Sequence, residues 1–112
     1  MASEGMTERV QTVVQDVARR LSELYGERLR GVVLYGSRAR GDASDDSDFD
    51  FLVLLDGVDD FGADVRQISA IASELSLEFD TVVSALPVAE ARFLEEETPL
   101  FLNARRKAIV VR

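Results

Sequence analysis

Two aspartates one residue apart, Asp48 and Asp50, open an apolar run of Phe49, Phe51, Leu52, Val53, Leu54 and Leu55. On a β-strand, alternation puts both carboxylates on one face with their alpha carbons roughly 6–7 Å apart, while Phe49, Phe51 and Val53 turn into the core. Two carboxylates so placed can converge on one cation. A third acid, Asp80, lies inside a separate apolar run, Phe79-Asp80-Thr81-Val82-Val83, where a carboxylate is costly unless paired or metal-bound. Two readings of it stay open: a neighbouring strand brings it to the same cluster, or it is a strand-edge acid reaching solvent. Upstream, Gly36-Ser37 ends another apolar run at a tight turn. There backbone N–H groups and the Ser37 hydroxyl can face a phosphate, and the missing side chain lets it approach. Arg38 and Arg40 either add charge against a triphosphate or pair on the surface with Asp42, Asp45 or Asp46. Taken singly, each piece is common: Gly-Ser is an ordinary turn, and Asp-x-Asp is often an acidic loop merging into a strand.

Composition narrows the chemistry. The 112 residues contain neither cysteine nor histidine, which removes disulfides, thiolate metal sites and the usual general base and zinc ligand. Acid-base and metal chemistry must therefore rest on carboxylates. Thirteen basic residues against twenty-one acidic ones give a net charge of -8, so direct nucleic-acid binding is not expected, whereas a nucleoside triphosphate escorted by magnesium is compatible. No apolar run approaches the roughly 20 residues of a membrane span, and the start of the chain lacks the regions of a signal peptide. The expectation is a cytoplasmic protein without membrane contact, forming a single domain over 1–112, with 1–6 a loose tail.

The elements that must position these residues follow from periodicity. Val10, Val13, Val14, Val17, Leu21, Leu24 and Tyr25 recur at helical spacing from Glu8 to Tyr25, with Thr7 as N-cap and Gly26 as stop signal. Leu29 to Tyr35 reads as a buried strand, Ser37 to Arg40 as a short helical turn, Gly41 to Ser47 as a polar loop and Asp48 to Leu55 as a second strand. Asp64 to Leu75 restores helical spacing. A third strand is expected from Leu77 to about Ala85, carrying Asp80 and broken by Pro87. A helix from Val88 to Glu96, a Thr98-Pro99 cap and a last strand from Ala108 to Val111 complete the order α-β-α-β-α-β-α-α-β. The apolar residues between Phe93 and Leu102 offer a surface for a partner or a second copy, and Arg105-Arg106-Lys107 reads as a solvated helix end.

Three other motifs fail on spacing. Gly31 and Gly36 have a Walker A separation, but a strand lies between them and Arg38 follows Ser37 where lysine should precede it. Asp42 to Ser47 resembles the start of an EF-hand loop, yet Ser47 takes the glycine position and Val53 that of the terminal glutamate. Arg40-Gly41-Asp42 is an adhesion tripeptide by letters only.

Taken together, Gly36-Ser37, ten intervening residues and Asp48-Phe49-Asp50 resemble the signature of the polymerase-beta-like nucleotidyltransferase superfamily. Gly36-Ser37-Arg38-Ala39-Arg40-Gly41 and Ser47-Asp48-Phe49-Asp50-Phe51-Leu52-Val53 resemble its minimal nucleotidyltransferase (MNT) branch, over nearly the full chain. The resemblance implies an α/β (α+β) fold, a small mixed β-sheet flanked by helices, with the acids gathered on one face. It implies that Gly36 and Ser37 bind the nucleotide, that the third family acid is Asp80, and that Asp48, Asp50 and Asp80 are the catalytic, metal-binding carboxylates. They would hold two magnesium ions, with ATP as substrate.

Short MNT proteins are typically antitoxins whose partner is a HEPN toxin, silenced by transfer of AMP to a tyrosine. The resemblance therefore implies magnesium-dependent transfer of AMP from ATP to a hydroxyl of a HEPN-domain partner, with which the chain could also form an oligomer. Alternatives from other classes are an antitoxin that works by contact alone, a small-molecule nucleotidyltransferase similar to aminoglycoside-modifying enzymes, and a structural α/β module with an incidental acid cluster.

Overall fold

A computed structural model describes residues 8–35, 48–99 and 101–102, and the backbone of 109–111. Its first element is helix α1 (Glu8–Tyr25), whose buried face of Val10, Val13, Val14, Val17, Leu21 and Tyr25 is the expected stripe. Leu24 falls outside it and is exposed. Gly26 stops the helix with φ +57°, a left-handed conformation that glycine adopts without steric cost. A single 3₁₀ turn, Gly26–Arg28, then leads into strand β1 (Leu29–Tyr35).

Strand β2 (Phe49–Leu55) pairs antiparallel with β1, and strand β3 (Val83–Ala89) pairs parallel with β2. The short β4 (Ile109–Val111) pairs antiparallel with β1, giving a mixed sheet in the order β3-β2-β1-β4. Between β2 and β3 the chain crosses over in helix α2 (Phe61–Phe79), as a parallel connection requires. This is the small mixed sheet flanked by helices that the resemblance implies.

Alternation sorts the strands onto two faces. Val32, Leu34, Phe49, Phe51, Val53 and Leu55 pack with α1 and with Ile68, Ala72 and Leu75 of α2 in the main core. Phe49 and Phe51 stack with ring centroids 6.4 Å apart. On the second face Val33, Leu52, Leu54 and Val88 pack with Phe93 and Phe101, whose rings meet edge to face at 5.7 Å. Both faces of β2 are thus covered along most of its length, which accounts for its near-continuous apolar sequence.

Three boundaries differ from the periodicity reading. Helix α2 begins at Phe61, where Asp60 caps it by accepting from the Ala63 N–H at 3.0 Å, and Asp64 is buried within the first turn. The helix runs through Leu77 to Phe79, so the third strand begins at Val83 and Asp80 lies outside it. Leu77, offered as a strand residue, is an exposed helical side chain. Pro87 does not break β3: it sits within the strand opposite Val53, at the edge of the sheet, where an absent N–H is tolerated. Helix α3 (Glu90–Glu95) therefore starts later than expected. Thr98 does cap the next turn, its hydroxyl accepting from the Phe101 N–H at 3.2 Å.

At the end of the sheet where β2 finishes, a buried polar cluster ties three segments together. The Tyr25 hydroxyl donates to Asp64 Oδ1 at 2.9 Å, and Arg28 donates to Asp64 Oδ2 at 3.3 Å and to the Gly57 carbonyl at 2.8 Å. The Arg28 guanidinium also lies over the Tyr25 ring, 5.1 Å from its centroid. Asp64 is the buried charged residue among those described, and its oxygens have partners.

Candidate active site

At the opposite end of the sheet, where β2 begins, Asp50 sits between two register partners. Tyr35 is opposite it on β1 and Ser84 is beside it on β3. Directly paired residues share a face, so Tyr35, Asp50 and Ser84 form a row across three strands. That row lies on the second face, beyond the Leu52 level. Helix α3 and the turn from Pro99 cover the far part of this face through Phe93 and Phe101, and Ser84 and Leu86 are exposed. Asp48 immediately precedes β2 and is exposed. The two acids therefore stand at an open sheet end, as the strand alternation requires, with Phe49 fully buried on the other side.

The electrostatics of the pair are unbalanced. Burial, and then the charge of Asp48, push the Asp50 carboxyl above the ordinary aspartate range. Burial, and then the charge of Asp50, push the Tyr35 hydroxyl up, so it stays neutral. Among the described residues no basic side chain forms an ion pair with Asp48 or Asp50. Two hard oxygen ligands that repel each other, Asp48 exposed and Asp50 half-buried, fit a magnesium ion, whose charge would offset that repulsion.

Because the folded value of Asp50 is raised, its contribution to stability is fully present below the unfolded pKa and is lost as pH rises through the folded one. Without metal, Asp50→Asn is therefore expected to raise the melting temperature by a few degrees at neutral pH. The gain should shrink as pH falls into the ordinary carboxylate range, which thermal scans in chelator across pH would measure.

Asp80 is placed differently. It is the left-handed cap of α2, with φ 50° and ψ 52°, and it is exposed. Among the described residues no group of three or more acids is close enough to share a metal, so the structure brings Asp48 and Asp50 together but not Asp80. Gly36, Ser37, Arg38 and Arg40 lie outside the described residues, although the end of β1 at Tyr35 delivers the chain to that segment beside Asp50. Sequence reasoning missed Tyr35 and Ser84. Tyr35 was detectable in principle, because the residue before Gly36-Ser37 must sit at the same sheet end as the start of β2. Ser84 was not, because the third strand was expected to begin at Leu77 and to carry Asp80, whereas β3 begins at Val83.

Comparison with known proteins agrees with this architecture. The family model described as a nucleotidyltransferase domain matches residues 14–109. Two Methanocaldococcus jannaschii proteins, each named "putative protein adenylyltransferase", are similar in sequence. One is 31% identical over 74 residues, 66% of this chain and 74% of the relative. The other is 28% identical over 80 residues, 71% of this chain and 74% of the relative. Among solved structures, a toxin-antitoxin with AMP-PNP superposes with TM-score 0.60 at 20% identity, over 86% of this chain and 70% of the other. A mutant of the toxin-antitoxin MntA-HpeT superposes with TM-score 0.59 at 19% identity, over 88% and 71%. The match over residues 14–109 takes in both acids and all the described strands up to Ile109, and the chain belongs to the nucleotidyltransferase domain family and is a nucleotidyltransferase.

Proposed function

We propose that this nucleotidyltransferase is a magnesium-dependent protein adenylyltransferase that moves AMP from ATP onto a tyrosine hydroxyl of a HEPN toxin and so acts as its antitoxin. The observation that carries the reading is the Asp48 and Asp50 pair, set at an open sheet end with no basic partner among the described residues. The names of the two relatives support the adenylyl donor, and the toxin-antitoxin neighbours, one solved with AMP-PNP, support the setting.

In this reading Asp48 and Asp50 hold the metal and Gly36-Ser37 cradles the triphosphate. A magnesium ion held there would supply charge against the phosphates and would lower the pKa of the acceptor hydroxyl. The hydroxyl oxygen forms a bond to the alpha phosphorus as the bond to the leaving pyrophosphate breaks. With no histidine in the chain, the hydroxyl proton would pass to a carboxylate oxygen of Asp50 or to water.

A second reading, neutralisation by contact alone, is favoured by the net charge of -8, which would complement a basic ribonuclease groove. Co-expression with the product of the adjacent gene separates the two. Adenylylation predicts that an Asp48→Asn, Asp50→Asn variant still co-purifies with the partner but no longer protects cells. Full protection by that variant would establish the contact mechanism instead.

A further inference from the structure

The turn between α2 and β3 is tied down on both sides. The Asp80 N–H donates to the Ser76 carbonyl, and the Thr81 N–H donates to the same oxygen at 3.1 Å. This is the terminating pattern in which a left-handed residue closes a helix. Ser76 extends the lock. Its hydroxyl donates to the Ala72 carbonyl at 2.7 Å and accepts from the Val83 N–H at 2.9 Å. On the sheet side the Phe49 N–H donates to the Val82 carbonyl at 2.8 Å, which fixes the register of β3 against β2. The Phe79 carbonyl accepts from Arg9 of α1 at 2.6 Å. Every residue from Phe79 to Val83 is therefore held by a backbone bond of its own or of its neighbour.

This lock decides which residue of the β3 segment stands beside Asp50. Helix α2 packs on the first face of the sheet, so its cap at Asp80 belongs to the helical layer. Asp50 and its register partners belong to the second face. Sliding Asp80 into register with Asp50 would need a shift of four residues, from 84 to 80, and would break the Ser76, Val82 and Val83 bonds. Left-handed residues other than glycine are most often asparagine or aspartate, so the identity of Asp80 is accounted for by the helix end.

We propose that Ser84, not Asp80, is the third side chain of the site, so that the sheet offers a divalent cation two carboxylates and one hydroxyl, and that Asp80 serves only to end α2. The proposal rests on the nucleotidyltransferase reading of the Asp48 and Asp50 pair. Ser84 is exposed on the open part of the second face, where its hydroxyl can hydrogen-bond an ion-bound water or a phosphate oxygen.

Manganese affinity without nucleotide, read by calorimetry on the full chain alongside melting temperature, tests it. Asp80→Gly removes the carboxylate but keeps the left-handed turn, so affinity should stay within about twofold and the protein should melt no lower. Ser84→Asp restores a third carboxylate beside Asp50. It should tighten manganese at least tenfold while lowering the melting temperature of the metal-free protein, because like charges then face each other across paired strands. Asp50→Asn should weaken manganese at least tenfold. A tenfold loss of affinity in Asp80→Gly with the melting temperature preserved would overturn the proposal and restore Asp80 as a ligand. Unchanged affinity in Ser84→Asp would also overturn it. No manganese binding by the unaltered protein would overturn the underlying reading of the site as well, which distinguishes the two failures.

Discussion

Replacing Asp48 and Asp50 together by asparagine is expected to reduce nucleotidyl transfer by about 10³-fold or more without unfolding the protein. The magnitude is at least that of losing one preorganised electrostatic group from a transition state, roughly 10²–10³, because both charged ligands go. Asparagine keeps the shape of aspartate, and neither acid has an ion-pair partner among the described residues that the change would orphan. The burial and repulsion that raise the Asp50 pKa are relieved in the variant, so loss of activity should come with unchanged or higher melting temperature. Pyrophosphate release with ATP, magnesium and the adjacent gene's product as acceptor, measured beside a thermal scan, checks both halves. Loss of activity together with loss of fold would assign these residues a structural role.

The second large effect lies at the other end of the sheet. Asp64→Ala is expected to destabilise the protein by about 3 kcal/mol, lowering the melting temperature by roughly 10–20 °C. Asp64 is 4% exposed and Tyr25 8%, so the truncation leaves the Tyr25 hydroxyl without its acceptor in the interior. Burial is the first cause, and the bond to Asp64 the second, that hold the Tyr25 hydroxyl far above the ordinary tyrosine range. That bond therefore runs from a neutral donor to a charged acceptor. Arg28 is nearly half exposed, so its ion pair adds less than the Tyr25 bond. Tyr25→Phe removes the donor and leaves Asp64 with Arg28, costing about 1 kcal/mol. Because the two changes break one interaction, the double variant should cost less than the sum of the singles in denaturant titrations. Additive costs would mean the contact contributes nothing.

The fold was legible where one signal dominated. The 3.6-residue period of α1 and the Gly26 stop defined that helix without interference, and the Val32 to Leu34 run could only be a buried strand. The α2 to β3 junction was not legible, because Leu77, Phe79, Val82 and Val83 are apolar whether the segment is helix or strand. What decides is a cap at Asp80 and hydroxyl bonds from Ser76, neither of which leaves a period in the sequence. Pro87 misled for a related reason: proline disfavours a central strand, but β3 is at the sheet edge, a fact of topology. The same pattern holds at the site. The spacing of Asp48 and Asp50 at the start of an apolar run was enough to place both at one sheet end, Asp48 just before β2 and Asp50 within it. Ser84 depended on where β3 begins and on its pairing with β2, which the sequence does not mark. The apolar stretch from Phe93 to Leu102 divided likewise: Phe93 and Phe101 are buried in the second cluster, while Leu94 and Leu102 are exposed.

Intact-mass spectrometry of the adjacent gene's product, after incubation with this protein, ATP and magnesium, tests the central claim most directly. The account predicts a mass gain of one or more AMP units on that product, absent when Asp48 and Asp50 are both asparagine. An unmodified product in a stable complex with the intact protein would contradict it.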